Sequence, residues 1–311
     1  MISDQMSVAV VTAVHNRCEL TLQCLKSLSH INSSGLDVSV IVVDDGSTDG
    51  TSEVVRREFP DVKIIAGTGD LWFTEGTNTG VRTALRENPA YILMMNDDQV
   101  FDSEFLRSMI QTAESNPRSV VGSLLLLWDQ PHKVFQIAPV WNAWLGGWQH
   151  WFKQTVWTVP ERPFEVDLIV GNCVLVPVAA IKECGLMNSE RYPNFGDAEY
   201  TPRLKRAGWK LLIDPRARVF CQPNTVPASA RKKSFRQMFN DLFVDLKNVN
   251  SLRRRWYAYM DTAPSKLSGA AAFCIFVLRA FFRFNPESPA FSERNPEIPL
   301  RERFANSVVK N

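Results

Sequence analysis

Hydrophobic and polar positions alternate between two kinds of segment in the first part of the chain. Apolar runs rich in β-branched residues predict strands, and segments with one apolar helical face lie between them. The predicted strands are SVAVVTA, VSVIVVD, VKIIAG, YILMMN and VVGSLLLL, and the helix candidates are CELTLQCLKSLSH, GTSEVVRREFP and NTGVRTALREN. This order is typical of an α/β fold with a mostly parallel central sheet.

The pattern changes after Leu127. Five of the nine tryptophans lie in residues 129–162, which we interpret as an insert. A strand and a short helix are then predicted in EVDLIVGNCVLVPVAAIKECG, and a helix and a pair of strands in FGDAEYTPRLKRAGWKLLIDPRARVF. Beyond Pro223, a basic amphipathic stretch and the apolar GAAAFCIFVLRAFFRF predict a C-terminal helical extension over residues 224–311. Residues 1–223 are therefore expected to form one domain.

Composition narrows the class of protein. The chain has 311 residues, of which 45% are hydrophobic, so it can bury a large core. A net charge of +2 argues against a nucleic-acid partner, because such proteins carry a clear basic excess. The six cysteines form no CxxC pair and no zinc spacing, and the N-terminus lacks the features of a signal peptide. We expect reduced thiols and a cytoplasmic location.

Two predicted strands end in acidic residues. Asp44 and Asp45 end one of them, and YILMMNDDQV passes directly from an apolar run into Asn96, Asp97 and Asp98. Ligands bind beyond the carboxyl ends of strands in open α/β sheets. Adjacent carboxylates there repel each other unless a cation lies against them, which predicts a metal ion.

Three motifs stand in a characteristic order: TAVHN, VVDDGSTDGT and LMMNDDQ. Together they resemble the inverting family 2 glycosyltransferases of the GT-A fold, of the rhamnosyltransferase-like type that builds bacterial surface polysaccharides. The resemblance covers roughly residues 7–222. It implies a Rossmann-like, nucleotide-binding GT-A domain that moves a sugar from a UDP- or dTDP-sugar to a hydroxyl of a glycan or lipid-linked acceptor.

The resemblance also implies which residues bind the sugar donor. Ala13, His15 and Asn16 would frame the base and the ribose, and Asp45 would accept a hydrogen bond from the pyrimidine imide. The other expected contacts to the sugar donor are Asp70, Asn78, Asn96 and Asp97, with Asn78 and Gly80 in a glycine-rich loop over residues 67–80. The alternative for the DDGS turn is that it only caps the following helix.

Asp98 is expected to bind a divalent cation, Mn²⁺ or Mg²⁺, since the NDD stretch matches the family's acidic metal-binding motif. Asn96 replaces the leading acid of the common form. Many relatives place a histidine after the last strand of the domain, whereas this chain has Cys221 and Gln222. We expected neither to be a good ligand for a hard cation.

Asp197 is expected to be the catalytic base, because FGDAEYTPRLKRAG resembles the segment that carries the family's catalytic carboxylate. An inverting transfer needs one general base beside the acceptor hydroxyl. Glu199 is the rival; two residues apart on a helix, the two side chains point about 200° apart. The expected acceptor-side residues are Trp72, Glu199 and Trp148, although both tryptophans could instead serve packing.

The apolar run over residues 269–278 is too short to span a bilayer and has basic flanks. It predicts a peripheral contact with the inner leaflet of the membrane, a homodimer surface, or a helix packed on its own domain. Two other functions stay open at this point. One is a non-catalytic glycan-binding scaffold of the same fold, and the other is a sugar nucleotidyltransferase, which is disfavoured because no glycine-rich basic phosphate loop follows the first strand.

Overall fold

The structure is a computed structural model that describes residues 5–137, 140–149, 153–222, 235–248 and 251–281. The strands within these ranges are β1 (Met6–Val14), β2 (Leu36–Asp44), β3 (Lys63–Ala66), β4 (Tyr91–Met95), β5 (Gln99–Phe101), β6 (Ser119–Leu127), β7 (Val134–Gln136), β8 (Val140–Asn142), β9 (Gly147–Gln149), β10 (Phe164–Glu165), β11 (Cys173–Pro177) and β12 (Lys210–Cys221). The helices are α1 (Cys18–Leu28), α2 (Thr51–Glu58), α3 (Trp72–Ala84), α4 (Phe105–Ser115), α5 (Val178–Cys184), α6 (Gly196–Arg206), α7 (Phe235–Phe239), α8 (Leu252–Thr262) and α9 (Lys266–Phe281).

One large sheet organises the fold. Its strand order is β10-β12-β6-β11-β4-β1-β2-β3, and β5 and β7 pair with β12 and β6. Six strands of this path run in one direction, whereas β10 and β11 run against their neighbours. The carboxyl ends of β1, β2 and β4 therefore meet at one edge. The predicted α/β fold with a mostly parallel sheet is confirmed.

Helices cover both faces of the sheet, which explains why its central strands are mostly apolar on both sides, as β4 is at every position. Residues of α1 and α4 form one core layer with β1, β4 and β11. Residues of α3, α5 and α6 form the opposite layer with the same strands. Phe105 and Leu106, at the start of α4, are completely buried. Each such side chain contributes about 1.5–3 kcal/mol relative to an exposed one.

The predicted pair of strands after α6 is a single strand, β12, with an irregularity. Its pairing with β6 shifts register between Asp214 and Arg218, where Pro215 has no N–H for the ladder. The buried Asp214 accepts hydrogen bonds there from Arg216 and Thr112. A bulge stabilised by an ion pair therefore replaces the predicted turn.

The tryptophan-rich segment packs against the C-terminal helices. Trp141 donates from Nε1 to Ser268 Oγ at 2.8 Å, and Trp148 donates from Nε1 to Thr262 Oγ1 at 2.8 Å. Tyr259 of α8 contacts the Trp141 ring edge to face. Packing is thus the role that the structure gives to Trp141, while Trp151 lies outside the described residues.

Within the described ranges, no helix combines the length and the apolar character that crossing a bilayer requires. The run over 269–278 lies in α9, which packs on α8 and on the segment around Gly146. Trp144 and Leu278 remain exposed. The membrane and dimer hypotheses stay predictions.

Candidate active site

A cleft of about 800 Å³ lies at the edge where β1, β2 and β4 end. The first turns of α3 and α6, the entry to β11 and the end of β12 complete its walls. Nine of the predicted site residues line it, namely Ala13, His15, Asp45, Trp72, Asn96, Asp97, Asp98, Trp148 and Asp197. Four others, Asn16, Asp70, Asn78 and Glu199, are not among the residues that line the cleft.

The end of β1 presents a histidine in a fixed orientation. His15 Nδ1 lies 2.6 Å from the carbonyl oxygen of Asp45, so Nδ1 carries the proton and donates. Asn16 Nδ2 then donates to His15 Nε2 at 3.0 Å. Asn16 Oδ1 accepts from the Thr48 backbone N–H at 2.7 Å. Asn16 therefore holds the neighbouring loop and orients His15 rather than lining the cleft.

The carboxylate of Asp45 is buried and accepts hydrogen bonds from backbone N–H groups. Its Oδ1 accepts from Gly69 N at 2.7 Å, and its Oδ2 accepts from Leu71 N at 2.8 Å and Trp72 N at 3.0 Å. The last two N–H groups lie at the start of α3, and the first N–H groups of a helix have no acceptor within the helix itself. Asp45 thus caps α3 from another loop, and Oδ1 keeps one lone pair for a ligand in the cleft.

The loops on either side of Asp45 pack in direct backbone contact. Gly46 has φ +71°, and a Cβ there would lie 2.9 Å from the Cα of Gly69. Asp44 accepts from Ser47 N at 2.9 Å and from the Ser52 hydroxyl. Asp44 therefore supports its own loop.

A guanidinium group lies between the two adjacent carboxylates after β4. Arg17 Nη1 contacts Asp97 Oδ1 at 3.0 Å, and Arg17 Nη2 donates to Asp98 Oδ2 at 3.1 Å. Thr21 Oγ1 donates to the second oxygen of Asp97 at 2.9 Å. Both carboxylates are nearly inaccessible, whereas the Arg17 side chain is 26% exposed at the cleft surface.

Burial shapes the protonation of this pair. Desolvation raises the pKa of Asp97 to about 6, with the Arg17 charge opposing that rise and the Asp98 charge adding to it. Desolvation also raises the pKa of Asp98, again against the charge and hydrogen bond of Arg17. A single guanidinium therefore compensates the pair only in part, and the site keeps a capacity for further positive charge.

The oxygens around the pair suit a hard divalent cation. No three His, Cys, Asp or Glu side chains cluster for a metal in the described part of the chain. However, the buried amide oxygens Asn96 Oδ1 and Gln222 Oε1 have no hydrogen-bond partner among the described residues, and both residues line the cleft. Mg²⁺ and similar ions take one or two carboxylates, amide oxygens and substrate phosphates. The low expectation for Gln222 overlooked that its side chain offers an oxygen.

Asp197 lies in the first turn of α6 and lines the cleft. Its Oδ2 accepts from Gly171 N at 2.9 Å. A Cβ at Gly171 would lie 2.1 Å from the Asp197 Cβ, so only glycine permits this approach. Desolvation raises the pKa of Asp197, and the backbone N–H groups partly oppose the rise. A raised pKa makes this carboxylate a better proton acceptor than an ordinary aspartate.

Glu199 points away from the cleft. Its Oε1 accepts from Arg203 Nε at 2.9 Å, and Arg203 also donates to the carbonyl oxygens of Cys184 and Leu186. The predicted acceptor-side role of Glu199 is therefore not supported, because one helix cannot turn both acids toward the same side. The pair anchors α6 to the segment after α5.

Asn78 lies within α3 and is buried. Its side chain donates to the carbonyl oxygen of Met187 at 2.8 Å and accepts from Met187 N at 3.1 Å. The predicted glycine-rich loop ends before Trp72, where the helix begins, so Asn78 and Gly80 pack inside the fold. This position does not support the predicted contact of Asn78 with the sugar donor.

The rim of the cleft carries an ionic and aromatic cluster. Trp72 Nε1 donates to Asp70 Oδ1 at 2.9 Å, and Lys247 Nζ pairs with Asp70 and lies 5.4 Å from the centre of the Trp72 ring. Trp72 has φ +59°, which is rare for a bulky residue. Asp70 is exposed and joins the cleft to the segment before α8.

Three residues of the site were missed in the sequence: Arg17, Asn172 and Lys247. Arg17 follows TAVHN directly, and the need of two adjacent acids for a cation could have pointed to it. Asn172 accepts from the side chains of Asn96 and Gln99. No sequence motif links Lys247 to the site, since 177 residues separate it from Asp70.

Comparisons with known proteins concern the family and the fold of the chain. Residues 9–133 match the sequence model of glycosyl transferase family 2. A curated relative, the N-acetylglucosaminyl-diphospho-decaprenol L-rhamnosyltransferase of Mycobacterium tuberculosis, is 24% identical over 213 residues, and a second strain gives the same match. The match covers 58% of this chain and 66% of the relative, slightly under two thirds of its length.

Two solved structures share the fold. A crystal structure of GalNAc-T7 with UDP, GalNAc and Mn²⁺ has a TM-score of 0.60 at 12% identity, covering 92% of this chain and 59% of that one. A structure of S. aureus TarS 1–349 with UDP-GlcNAc has a TM-score of 0.56 at 15% identity, covering 90% and 74%. At this identity the likeness concerns the fold, and the predicted GT-A fold is confirmed.

Proposed function

We propose that this chain is an inverting glycosyltransferase that takes a sugar from a UDP- or dTDP-sugar, because residues 9–133 match the sequence model of glycosyl transferase family 2. The acceptor is a hydroxyl of a glycan or a lipid-linked oligosaccharide. One observation carries the proposal: the candidate base Asp197 faces the same cleft as the strand-end groups His15, Asp45 and Asp98.

Each strand-end group binds a different part of the sugar donor. His15, with its proton on Nδ1, and the backbone at Ala13 form the wall for base and ribose. Asp45 offers the free lone pair of Oδ1 to the imide N–H of a pyrimidine. Asp97 and Asn96, which line the same cleft, contact the diphosphate and the transferred sugar in this proposal. A pyrimidine nucleotide is the donor class that suits these groups.

Asp197 acts as the general base. Its carboxylate removes the proton from the acceptor hydroxyl while that oxygen bonds to the anomeric carbon. The bond from the anomeric carbon to the diphosphate breaks on the opposite face, and the electron pair leaves with the nucleoside diphosphate. Attack opposite the leaving group inverts the anomeric configuration, which requires one positioned carboxylate rather than two.

Asp98 and Asp97, with the amide oxygens of Asn96 and Gln222, are the groups that would hold a divalent cation. Such an ion, when bound, neutralises negative charge on a leaving diphosphate. The residues of the chain contribute buried carboxylate and amide oxygens that line the same cleft.

The acceptor approaches between Trp72, Trp148 and the C-terminal helices. Aromatic faces of this kind suit the apolar face of a sugar ring. A lipid-linked acceptor would bring the chain to the inner leaflet of the membrane, with the exposed Trp144 and Leu278 on the side of α9 as the contact surface. The location that follows is cytoplasmic and peripheral at the membrane.

The test is Asp197→Asn, assayed by release of nucleoside diphosphate from UDP- and dTDP-sugars with a panel of polyprenyl-diphosphate glycan acceptors. We expect a loss of turnover of about 10²–10⁴-fold, because the amide cannot accept the proton. Affinity for the nucleoside diphosphate, measured by calorimetry, should be unchanged.

Glu190→Gln is the matched control, since Glu190 is an exposed acid in the segment before α6. It should keep full turnover. Equal turnover in Asp197→Asn and the parent would remove Asp197 from the reaction. Glycan binding without turnover in the parent would favour the scaffold alternative.

A further inference from the structure

Arg17 occupies the positions that a metal ion would need. Its two terminal nitrogens contact Asp97 Oδ1 and Asp98 Oδ2 at 3.0 and 3.1 Å, one carboxylate each. The other Asp97 oxygen already accepts from Thr21, so Oδ1 is the oxygen of Asp97 that remains for a cation. A divalent cation and the guanidinium therefore compete for the same ligands.

The charges make this competition unavoidable. Two ionised carboxylates and one guanidinium carry a net charge of −1. A cation stabilises the acidic pair, and Arg17 alone neutralises half of the pair's negative charge. Removing Arg17 without replacement would leave two buried negative charges side by side, which is strongly unfavourable. The structure thus has an internal cation in place whenever no external one is bound.

Arg17 is placed to change partners. It precedes α1 with a non-helical backbone, φ −139° and ψ 37°, and its side chain is 26% exposed at the cleft surface. No other hydrogen bond of the Arg17 side chain is found within the described ranges beyond those to the acidic pair. A guanidinium pairs with two phosphate oxygens at least as well as with carboxylates, in the same two-armed geometry.

We propose that Arg17 is an exchangeable counter-ion: it holds Asp97 and Asp98 in the free protein and moves to the diphosphate when the sugar donor binds, which frees both carboxylates for a divalent cation. This inference rests on the proposed function for its diphosphate half. The half that concerns competition between Arg17 and a metal ion stands on the contacts of Arg17 alone.

The exchange makes nucleotide and metal bind with positive coupling. A nucleoside diphosphate that takes the guanidinium raises the affinity of the carboxylates for the cation, and by linkage the cation raises the affinity for the nucleotide by the same factor. Without Arg17, the cation site is open from the start, so most of this coupling should be lost.

The experiment is calorimetric titration of Mn²⁺ into the parent protein and into Arg17→Gln, each without nucleotide and with saturating UDP or dTDP. Without nucleotide, Arg17→Gln should bind Mn²⁺ about tenfold more tightly than the parent, a factor within the usual range of coupling between sites. With the nucleotide that binds, parent affinity for Mn²⁺ should rise by a similar factor, and that of Arg17→Gln should rise far less.

Arg57→Gln is the control for the loss of one positive charge, because Arg57 is an exposed partner of Glu58 on α2. It should leave Mn²⁺ affinity at the parent value. Arg17→Lys keeps the charge and loses the two-armed contact, so its Mn²⁺ affinity should lie between the two; it also replaces Arg17→Gln if that variant does not fold.

Equal or weaker Mn²⁺ binding by Arg17→Gln without nucleotide would overturn the exchange. So would an undiminished effect of nucleotide on Mn²⁺ affinity in that variant. A different result, in which no protein binds UDP or dTDP under any metal condition, would remove the proposed sugar-donor site. The nucleotide-free titrations would then still decide whether Arg17 competes with the ion.

Discussion

The two halves of the cleft are held in place by different kinds of bond. The first half consists of the loops after β2 and β3, and there three backbone N–H groups fix Asp45. The second half is the tryptophan-rich segment, which lines the cleft with Trp148 and packs on α8 and α9. Its positions depend on contacts between side chains distant in sequence, such as Trp148 with Thr262.

The two kinds of bond differ in how rigidly they fix the residues that line the cleft. Backbone amides in fixed loops leave a carboxylate little freedom, which suits a ligand part that does not vary, such as a nucleotide. Side-chain contacts can be exchanged by single substitutions without disturbing the sheet. The second half is therefore where we expect acceptor preference to be set.

Asp45→Ala should have the largest effect on this comparison. It leaves three backbone N–H groups unpaired, two of them at the start of α3, so we expect the free energy of unfolding to fall by about 3 kcal/mol. Urea unfolding measures that change, and calorimetry with UDP or dTDP should show lost nucleotide binding. Asp45→Asn keeps one acceptor oxygen and should lose about half as much stability. An unchanged free energy of unfolding in Asp45→Ala would show that the loops keep their conformation without the Asp45 carboxylate.

Trp148→Ala should act on the other half alone. Loss of the indole removes its contact with Trp141 and its hydrogen bond to Thr262, which we expect to cost about 2 kcal/mol for a half-buried aromatic. Nucleotide affinity should stay at the parent value while the KM for the acceptor rises. Trp148→Phe isolates the hydrogen bond. A drop in nucleotide affinity would contradict the division of the cleft.

Asp261 gives the smallest effect, a pH dependence in the second half. Burial alone would raise the pKa of Asp261, but hydrogen bonds from Tyr192 and Arg191 outweigh it and lower the pKa. The carboxylate therefore stabilises the fold above its unfolded pKa, and this contribution disappears as pH falls through the folded pKa. Asp261→Asn should lower stability by about 1 kcal/mol at pH 7.

Urea unfolding of parent and Asp261→Asn at pH 7 and pH 3 checks the sign. The difference between the two proteins should begin to shrink at pH 3, because the pH is then below the ordinary pKa of an aspartate and the advantage of the ionised carboxylate is being lost. A difference that persists at low pH would mean that the pairing with Arg191 contributes nothing. Nucleotide binding at pH 7 should be equal in both.

The sequence predicted the sheet because its signal is local. Apolar runs such as YILMMN are typical of strands buried on both faces, and their order along the chain implies crossover helices. The acids after β2 and β4 were found by the same reasoning, since strand ends share an edge. Asn78 was misjudged because a glycine-rich stretch predicted a loop where α3 already begins at Trp72.

What could not be predicted depends on contacts between distant residues. The guanidinium of Arg17 reaches Asp97 across 80 positions of sequence, and Lys247 reaches Asp70 across the whole domain. Glu199 could be assigned to either side of α6 until Arg203 and its carbonyl partners fixed the rotation. Pattern and propensity carry no information on such pairings.

The reversed direction of β11 has a consequence for how such a protein can diversify. Because β11 runs against β4 and β6, the chain enters it at the same edge where those strands end, with Gly171 and Asn172 at the point of entry. The segment between β6 and β11 consequently starts and ends at the edge of the sheet that carries the cleft. Insertions or deletions within this segment would leave both attachment points in place, so its length could change without moving the loops after β1, β2 and β4.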